Sequence, residues 1–169
     1  MIPNTLLPEG TSYCIAGGWA ACPALALDKD VWVFAEEVES GDIGHRREEL
    51  LKHLEVEGHD FVPEDETRNA AGYEGIISIL RVAKVEVPGS VPIHLIITNA
   101  LDPHDLISSF DVSAHQIALS SQGHVIKGGN FTPVTVKPVK LKGTPTTDER
   151  MRKIATRYGH PQPFSILEP

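Results

Sequence analysis

A glycine pair followed by two spaced carboxylates constrains the fold of this chain more than any other feature. Gly17 and Gly18 end an apolar run, and after nine further residues Asp28-Lys29-Asp30 leads into the apolar, aromatic stretch Val31–Ala35. This composition is typical of a buried strand. Strand side chains alternate between two faces, so we expect Asp28 and Asp30 on one face and Lys29 on the other.

The whole chain predicts one α+β domain over residues 1–169, with an extended lead-in at 1–10. The stretch 59–75 is polar and irregular, and we expect either an ordered insertion or a mobile loop there. Helices are expected over 19–27, Arg46–Glu57 and Asp102–Ser109, and at the C-terminus after a capping box of Thr146 and Glu149. The predicted strands are Tyr13–Ala16, Val31–Ala35, Ile76–Val87, Ile93–Thr98 and Phe110–Leu119. Since helices do not separate all of these strands, a mixed β-sheet flanked by helices is favoured over a doubly wound parallel sheet.

Charge and composition exclude several classes of function. Lys and Arg number 15 against 23 Asp and Glu, which gives a net charge of −8 and argues against broad affinity for nucleic acid. No apolar run is long enough to span a bilayer, so no membrane partner is expected. Two cysteines do not make a disulfide framework and no signal peptide is visible, so we expect a cytoplasmic protein.

The paired carboxylates suggest a site for a divalent cation. Mg²⁺ binds through one or two carboxylates together with substrate phosphates. Asp111, near the start of the predicted strand Phe110–Leu119, is the best candidate for a third carboxylate. Gly17 and Gly18 would let the backbone approach a phosphate. The alternative is that Asp28 and Asp30 are a solvated strand end and that the glycines form an ordinary turn.

Four basic residues on the predicted final helix also have two interpretations. They form either a solvated face that balances an acidic protein or a set of phosphate or nucleic-acid contacts beside the acidic pocket. These residues are Arg150, Arg152, Lys153 and Arg157.

The order of these motifs resembles the nucleotidyltransferase superfamily, which has the DNA polymerase β-like fold. The resemblance is carried by Ala16-Gly17-Gly18, by Asp28-Lys29-Asp30-Val31 after nine residues, and by Asp111 as the third acid. The segments ISSFDVSAHQIAL and TPTTDERMRKIATRYGH are similar to those of small nucleotidyltransferase-like proteins, many of them encoded by bacteriophages. Together the matches cover residues 13–34 and 93–160.

The resemblance implies transfer of a nucleotide from an NTP to an acceptor hydroxyl with Mg²⁺ or Mn²⁺. Asp28, Asp30 and Asp111 would be the catalytic metal ligands, and Gly17 and Gly18 would bind the nucleotide. The acceptor, whether nucleic acid, protein or small molecule, is not implied.

Lys29 and Pro23 depart from the family's pattern and leave a second function open. This alternative is a catalytically inactive relative that binds another protein, a host protein in the host cytoplasm if the chain is phage-encoded. A phosphohydrolase that uses the same acids is a third interpretation.

Overall fold

The computed structural model of the chain describes residues 6–7, 10–34, 52–53, 60–61, 79–141 and 148–160. Most of the predicted helix Arg46–Glu57, most of the stretch 59–75, and Thr146 of the predicted capping box lie outside these residues. The extent of the domain therefore stays a prediction.

A mixed β-sheet forms the centre of the described structure. Within the described ranges it has seven strands in the order β3-β4-β5-β2-β1-β6-β7. Neighbouring strands are antiparallel except β2 and β5, which are parallel. The predicted α+β class with a mixed sheet is confirmed. The strands are β1 (Tyr13–Ala16), β2 (Lys29–Phe34), β3 (Asp60–Phe61), β4 (Ile79–Val85), β5 (Ile93–Thr98), β6 (Ile117–Ser120) and β7 (Val125–Lys127).

Short helices connect these strands and a longer one closes the described chain. They are α1 (Gly18–Ala21), α2 (Pro103–Ser108) and α3 (Asp148–Arg157), with 3₁₀ turns at Pro23–Leu25 and Ser113–His115. At the start of α2, the Asp102 side chain accepts a hydrogen bond of 2.8 Å from the backbone N–H of Asp105. Pro103 follows in the first turn, where its missing N–H costs nothing. None of the helices in the described segments has the length and apolar character needed to cross a membrane.

The two faces of the sheet bury different apolar clusters, as strand alternation requires. Val31 and Val33 of β2 belong to one cluster with Leu6 and Leu7. Trp32 and Phe34 face the other side, where α2 covers them and the rings of Trp32 and Phe110 lie 5.5 Å apart. The apolar stripe of α3 is buried as its spacing predicts, through Met151, Ile154 and Ala155.

The predicted strand Phe110–Leu119 is wrong over most of its length. The chain forms a 3₁₀ turn at Ser113–His115, and β6 starts only at Ile117. The Ser113 backbone N–H donates to the carbonyl of Val139, and the Ser113 hydroxyl accepts from the Val139 N–H at 2.9 Å. The Thr132 hydroxyl also donates to that of Ser113 at 2.7 Å. These contacts with distant residues hold the backbone in a conformation that a ladder strand cannot adopt.

The predicted helix over residues 19–27 is also shorter than expected. α1 ends at Ala21, and Pro23 opens a separate 3₁₀ turn. The reason is that proline at this position lacks the N–H that would continue an α-helix.

Candidate metal site

The residues of the candidate site lie at one end of the central strands β1, β2 and β5, which is called the sheet edge below. Strand β1 runs antiparallel to β2 with Ile15 opposite Val31, so the end of β1 lies beside the start of β2. Strand β5 runs parallel to β2 with His94 opposite Asp30, so β5 also begins at this edge. The Gly17-Gly18 turn, the paired carboxylates and His94 therefore share one end of the sheet.

Asp28, Asp30 and His94 lie close enough together to hold one cation. Each offers a ligand atom, and these atoms all lie within 4.8 Å of one another. His94 Nδ1 is 3.3 Å from Asp30 Oδ1 and 3.6 Å from Asp28 Oδ2. The side chain of Asp28 is 44% exposed, whereas those of Asp30 and His94 are 11% and 17% exposed. The group is therefore open to solvent on the side of Asp28.

Hydrogen bonding sets the charge of His94 beside these carboxylates. The hydrogen bond to Asp30 raises the pKa of His94, and the charges of Asp30 and Asp28 add to this effect. Burial and the nearby Lys84 act in the opposite direction. When the ring is protonated, its Nδ1 donates to Asp30 and its charge offsets part of the charge of the acidic pair. A bound cation would replace this proton, because metal-ligating histidine must be neutral.

The residues fit a divalent cation. Two carboxylate oxygens and one imidazole nitrogen are common ligands of divalent ions in proteins. The carboxylates come from positions i and i+2 at the start of one strand, and the nitrogen comes from the neighbouring strand. The arrangement is consistent with a divalent metal without fixing its identity.

Sequence reasoning missed His94. The available signal was a single ring nitrogen at the second position of the otherwise apolar strand IHLIIT. The strand itself was predicted with the bounds that the structure shows. What placed His94 opposite Asp30 is the parallel pairing of β2 with β5, two strands separated by residues 35–92. No local pattern encodes that pairing.

The structure does not bring Asp111, the predicted third carboxylate, into the group formed by Asp28, Asp30 and His94. Asp111 is buried, with 1% of its surface exposed, and its carboxylate accepts a hydrogen bond from the Arg150 guanidinium. The prediction assumed a strand at this position, and the chain instead turns into the 3₁₀ segment Ser113–His115. Asp111 and Arg150 form an ion pair that joins this turn to α3.

Gly17 and Gly18 form the turn between β1 and α1. Gly17 has φ of 90°, a conformation that side chains with a Cβ disfavour. Its N–H donates to the carbonyl of Ile117 at 3.2 Å, and its own carbonyl accepts from Ala21 at 2.9 Å. A Cβ built at Gly18 would lie 4.0 Å from His115 Nε2, which is ordinary contact. Backbone conformation therefore requires glycine at position 17, and packing does not require it at position 18. Nucleotide binding by this turn stays a prediction.

Lys29 lies away from the carboxylates that flank it in sequence. It is 7% exposed, and its Nζ lies 4.4 Å from the centroid of the Trp19 ring. Burial lowers the pKa of Lys29. Trp19 itself packs against the apolar cluster that contains Val31 and Val33. Lys29 thus occupies the opposite face of β2, and the lysine does not fill the space between Asp28 and Asp30.

The predicted basic contacts of α3 have different surroundings. Arg150 pairs with Asp111, and Lys153 pairs with Glu149 one turn away at 3.4 Å. Arg152 and Arg157 are exposed. Beside them, His115 Nε2 lies 2.8 Å from the Tyr158 hydroxyl.

Burial shifts the pKa values of His115 and Tyr158 in opposite directions. It lowers the pKa of His115 to about 3, and it raises the pKa of Tyr158 to about 12. Both side chains are therefore neutral near pH 7. They hold α3 next to the turn Ser113–His115 without a charge of their own.

Comparison with known proteins gives a likeness of fold. No protein-family model matches the chain, and no curated protein matches it. Among solved structures, the chain is similar to one described as "tRNA-processing enzyme (apo form I)", with a TM-score of 0.55 and 16% sequence identity. The alignment covers 94% of this chain and 40% of that one. This chain thus spans less than half the length of that structure. The likeness is compatible with a nucleotidyltransferase-like fold.

Proposed function

We propose that this chain is a metal-dependent nucleotidyltransferase, which moves a nucleotide from an NTP to an acceptor hydroxyl. The observation that carries the proposal is the meeting of Asp28, Asp30 and His94 within 4.8 Å at the sheet edge beside the Gly17-Gly18 turn. The likeness of fold to a tRNA-processing enzyme supports it. In the reaction a bond forms between the acceptor oxygen and the α-phosphorus, the bond from the α-phosphorus to the oxygen that bridges it to the β-phosphorus breaks, pyrophosphate leaves, and the hydroxyl proton is released to water.

Each residue of the site has a defined part in this proposal. A divalent ion, when bound, supplies positive charge to the triphosphate and to the attacking oxygen. Asp30 is held in place by its hydrogen bond with His94, so its oxygen is fixed before any ligand arrives. Asp28 is the more exposed carboxylate, so a metal-bound substrate would reach the site on its side. Such a site works through positioning and charge neutralisation rather than covalent catalysis.

The net charge limits how the chain could bind an acceptor, but it does not identify the acceptor. The acceptor is a nucleic acid, a protein or a small molecule, and a net charge of −8 requires local basic residues for any anionic acceptor. Arg152 and Arg157, both exposed on α3, are the residues that we propose for this contact. The proposed similarity to phage-encoded proteins stays a prediction from sequence.

Thermal unfolding with each NTP, with and without Mg²⁺ or Mn²⁺, tests the proposal without knowledge of the acceptor. Tm is expected to rise when metal and NTP are present together, because ligands that bind only the folded state stabilise it. Asp30→Asn should remove this shift, and nucleotide affinity should fall by at least about 10-fold. Asp148→Asn, which changes an exposed carboxylate in α3, is the matched control and should keep the full shift. An unchanged Tm with all four NTPs and both ions contradicts the proposal.

One observation favours the inactive alternative. His94 Nδ1 lies 3.3 Å from Asp30 and 3.6 Å from Asp28, so the ring, when protonated, offsets part of the charge of the acidic pair without a metal. A protein of this kind would keep the fold and bind a partner protein while transferring no nucleotide. The two functions separate in the same experiment, since the inactive protein shows no joint effect of metal and NTP on Tm.

A further inference from the structure

We propose that His94 makes this a site for a first-row transition-metal ion in preference to Mg²⁺. The inference rests on the proposed function in that it concerns the same site. It does not require that the site transfers a nucleotide. The donor set carries it: carboxylate oxygens of Asp28, directly before β2, and of Asp30 in β2, with one imidazole nitrogen from β5, all within 4.8 Å of one another. Mg²⁺ strongly favours oxygen ligands, whereas the affinity of a site that contains an imidazole rises from Mn²⁺ through Co²⁺ and Ni²⁺ to Cu²⁺ and is again lower for Zn²⁺.

The sheet fixes the nitrogen in the site. The backbone of His94 pairs with β2 on one side, opposite Asp30, and with β4 on the other side, opposite Lys84. Its side chain is 17% exposed. Strands on both sides fix the backbone of His94, and the 3.3 Å contact of its Nδ1 with Asp30 Oδ1 directs the ring towards the carboxylates. An ion that binds between Asp28 and Asp30 therefore meets Nδ1 of His94.

Among the histidines that the structure describes, His94 is the one grouped with carboxylates. His115 is fully buried and directs Nε2 to Tyr158, whereas His104 and His124 are exposed. Asp28, Asp30 and His94 form the one group of potential metal ligands found in the described part of the chain. His104 on α2 therefore offers a matched control for removal of an imidazole.

Isothermal titration of the metal-free full chain with Co²⁺ and with Mg²⁺ tests the inference in the absence of nucleotide. The wild type should bind Co²⁺ about 100-fold more tightly than Mg²⁺. His94→Asp, which supplies a third carboxylate, should lower this ratio at least about 10-fold. His94→Gln should lower it as well, and it avoids placing a third negative charge beside Asp28 and Asp30. His104→Asn should leave the ratio unchanged.

Pulsed electron paramagnetic resonance with bound Mn²⁺ gives an independent readout. The wild type and His104→Asn should show hyperfine coupling to one imidazole nitrogen, and both His94 variants should lack it. Circular dichroism confirms that each variant is folded.

The proposal is overturned if the Co²⁺ to Mg²⁺ ratio is the same in the wild type and in folded His94→Gln, or if Mn²⁺ shows no nitrogen coupling. In that case His94 only positions Asp30 through its hydrogen bond. These results are distinct from failure of nucleotidyl transfer. A Co²⁺ preference without any joint effect of metal and NTP on Tm supports this inference and contradicts the function. Equal ion affinities with a full NTP effect do the reverse.

Discussion

Lys29 lies between Asp28 and Asp30 in the sequence but not in the candidate site. A lysine between two acids could neutralise them and take the place of a metal. Alternation along β2 instead directs it under Trp19, where its ammonium lies 4.4 Å from the ring centroid. A cation–π contact at such a buried position is worth about 0.5–2 kcal/mol. The lysine is thus part of the packing on the opposite face and leaves the carboxylates to other cations.

Replacement of Lys29 by methionine tests this separation of the two faces. Lys29→Met keeps the apolar stem and removes a buried charge, so we expect the free energy of unfolding to change by less than about 1 kcal/mol. Mn²⁺ affinity should stay within about 2-fold of wild type, because Lys29 faces away from Asp28 and Asp30. Urea unfolding and calorimetric titration measure the two quantities. A large loss of Mn²⁺ affinity in the folded variant would show that Lys29 belongs to the site.

His115 links stability to pH through its burial. Its pKa is lowered to about 3, chiefly by burial and by the positive charge of Arg150, while Asp111 raises it and Arg157 lowers it. Above pH 6.5 both the folded and the unfolded states carry a neutral ring. Between pH 6.5 and about 3 the His115 ring binds a proton in the unfolded state but stays neutral in the folded state. The free energy of unfolding therefore falls as pH decreases from 6.5 towards 3, by up to about 1.4 kcal/mol per pH unit.

His115→Gln should flatten this part of the pH dependence. We expect the wild type to lose more stability than the variant between about pH 7 and about pH 4.5, where the unfolded histidine becomes charged. Urea unfolding at several pH values measures the difference. His104→Gln, at an exposed site, should follow the wild type. Parallel curves for the wild type and His115→Gln would mean that His115 does not control this dependence.

At the scale of elements, the ion pair of Asp111 and Arg150 joins α3 to the turn before β6. Asp111 is 1% exposed and the Arg150 side chain is 28% exposed. Removal of one partner of a buried ion pair costs about 3 kcal/mol or more. Arg150→Met should therefore lower the free energy of unfolding by about this amount, and Lys153→Met, whose partner Glu149 is also exposed, by less than about 0.5 kcal/mol. Urea denaturation compares the two variants.

A double-mutant cycle separates the ion pair from simple loss of packing. Asp111→Leu combined with Arg150→Met should be more stable than the sum of the two single changes predicts, since neither charge is then left alone. Strict additivity would contradict a structural role for this pair. The cycle also bears on the sequence prediction for Asp111, because a carboxylate that serves α3 has a role independent of metal.

Elements were predictable where local composition decides them. Strands β1 and β5 are short apolar runs bounded by polar or turn residues, and both match the predicted bounds. Asp102 as N-cap and Pro103 in the first turn mark the start of α2 in the sequence itself. The predicted strand at Phe110–Leu119 failed because Ser113 bonds to Val139 and Thr132, which are distant in sequence. Its β-rich composition alone could not reveal these partners.

The candidate site shows the same limit. Asp28 and Asp30 were placed together by strand alternation, which needs no knowledge of tertiary structure. The choice of their third partner depends on which strand lies beside β2. The parallel neighbour is β5, and it brings His94 to the pair. Sequence reasoning instead chose Asp111 by residue type, without knowledge of strand order.

At the scale of the whole molecule, strand order determines the chemistry of the sheet edge. The end of β1 and the starts of β2 and β5 meet there, while the two faces of the sheet are filled by separate apolar clusters. The site is thus built at the ends of paired strands in the middle of the sheet, and rigid elements hold ligand side chains more accurately than loops do.

Anomalous scattering from a crystal of the full chain grown with Mn²⁺ and a non-hydrolysable NTP analogue tests the account most directly. We predict a Mn²⁺ peak within about 2.3 Å of oxygens of Asp28 and Asp30 and of Nδ1 of His94, with the triphosphate on the same ion. A peak beside Asp111, or a nucleotide bound away from the Gly17-Gly18 edge with no ion between Asp28 and Asp30, would contradict it.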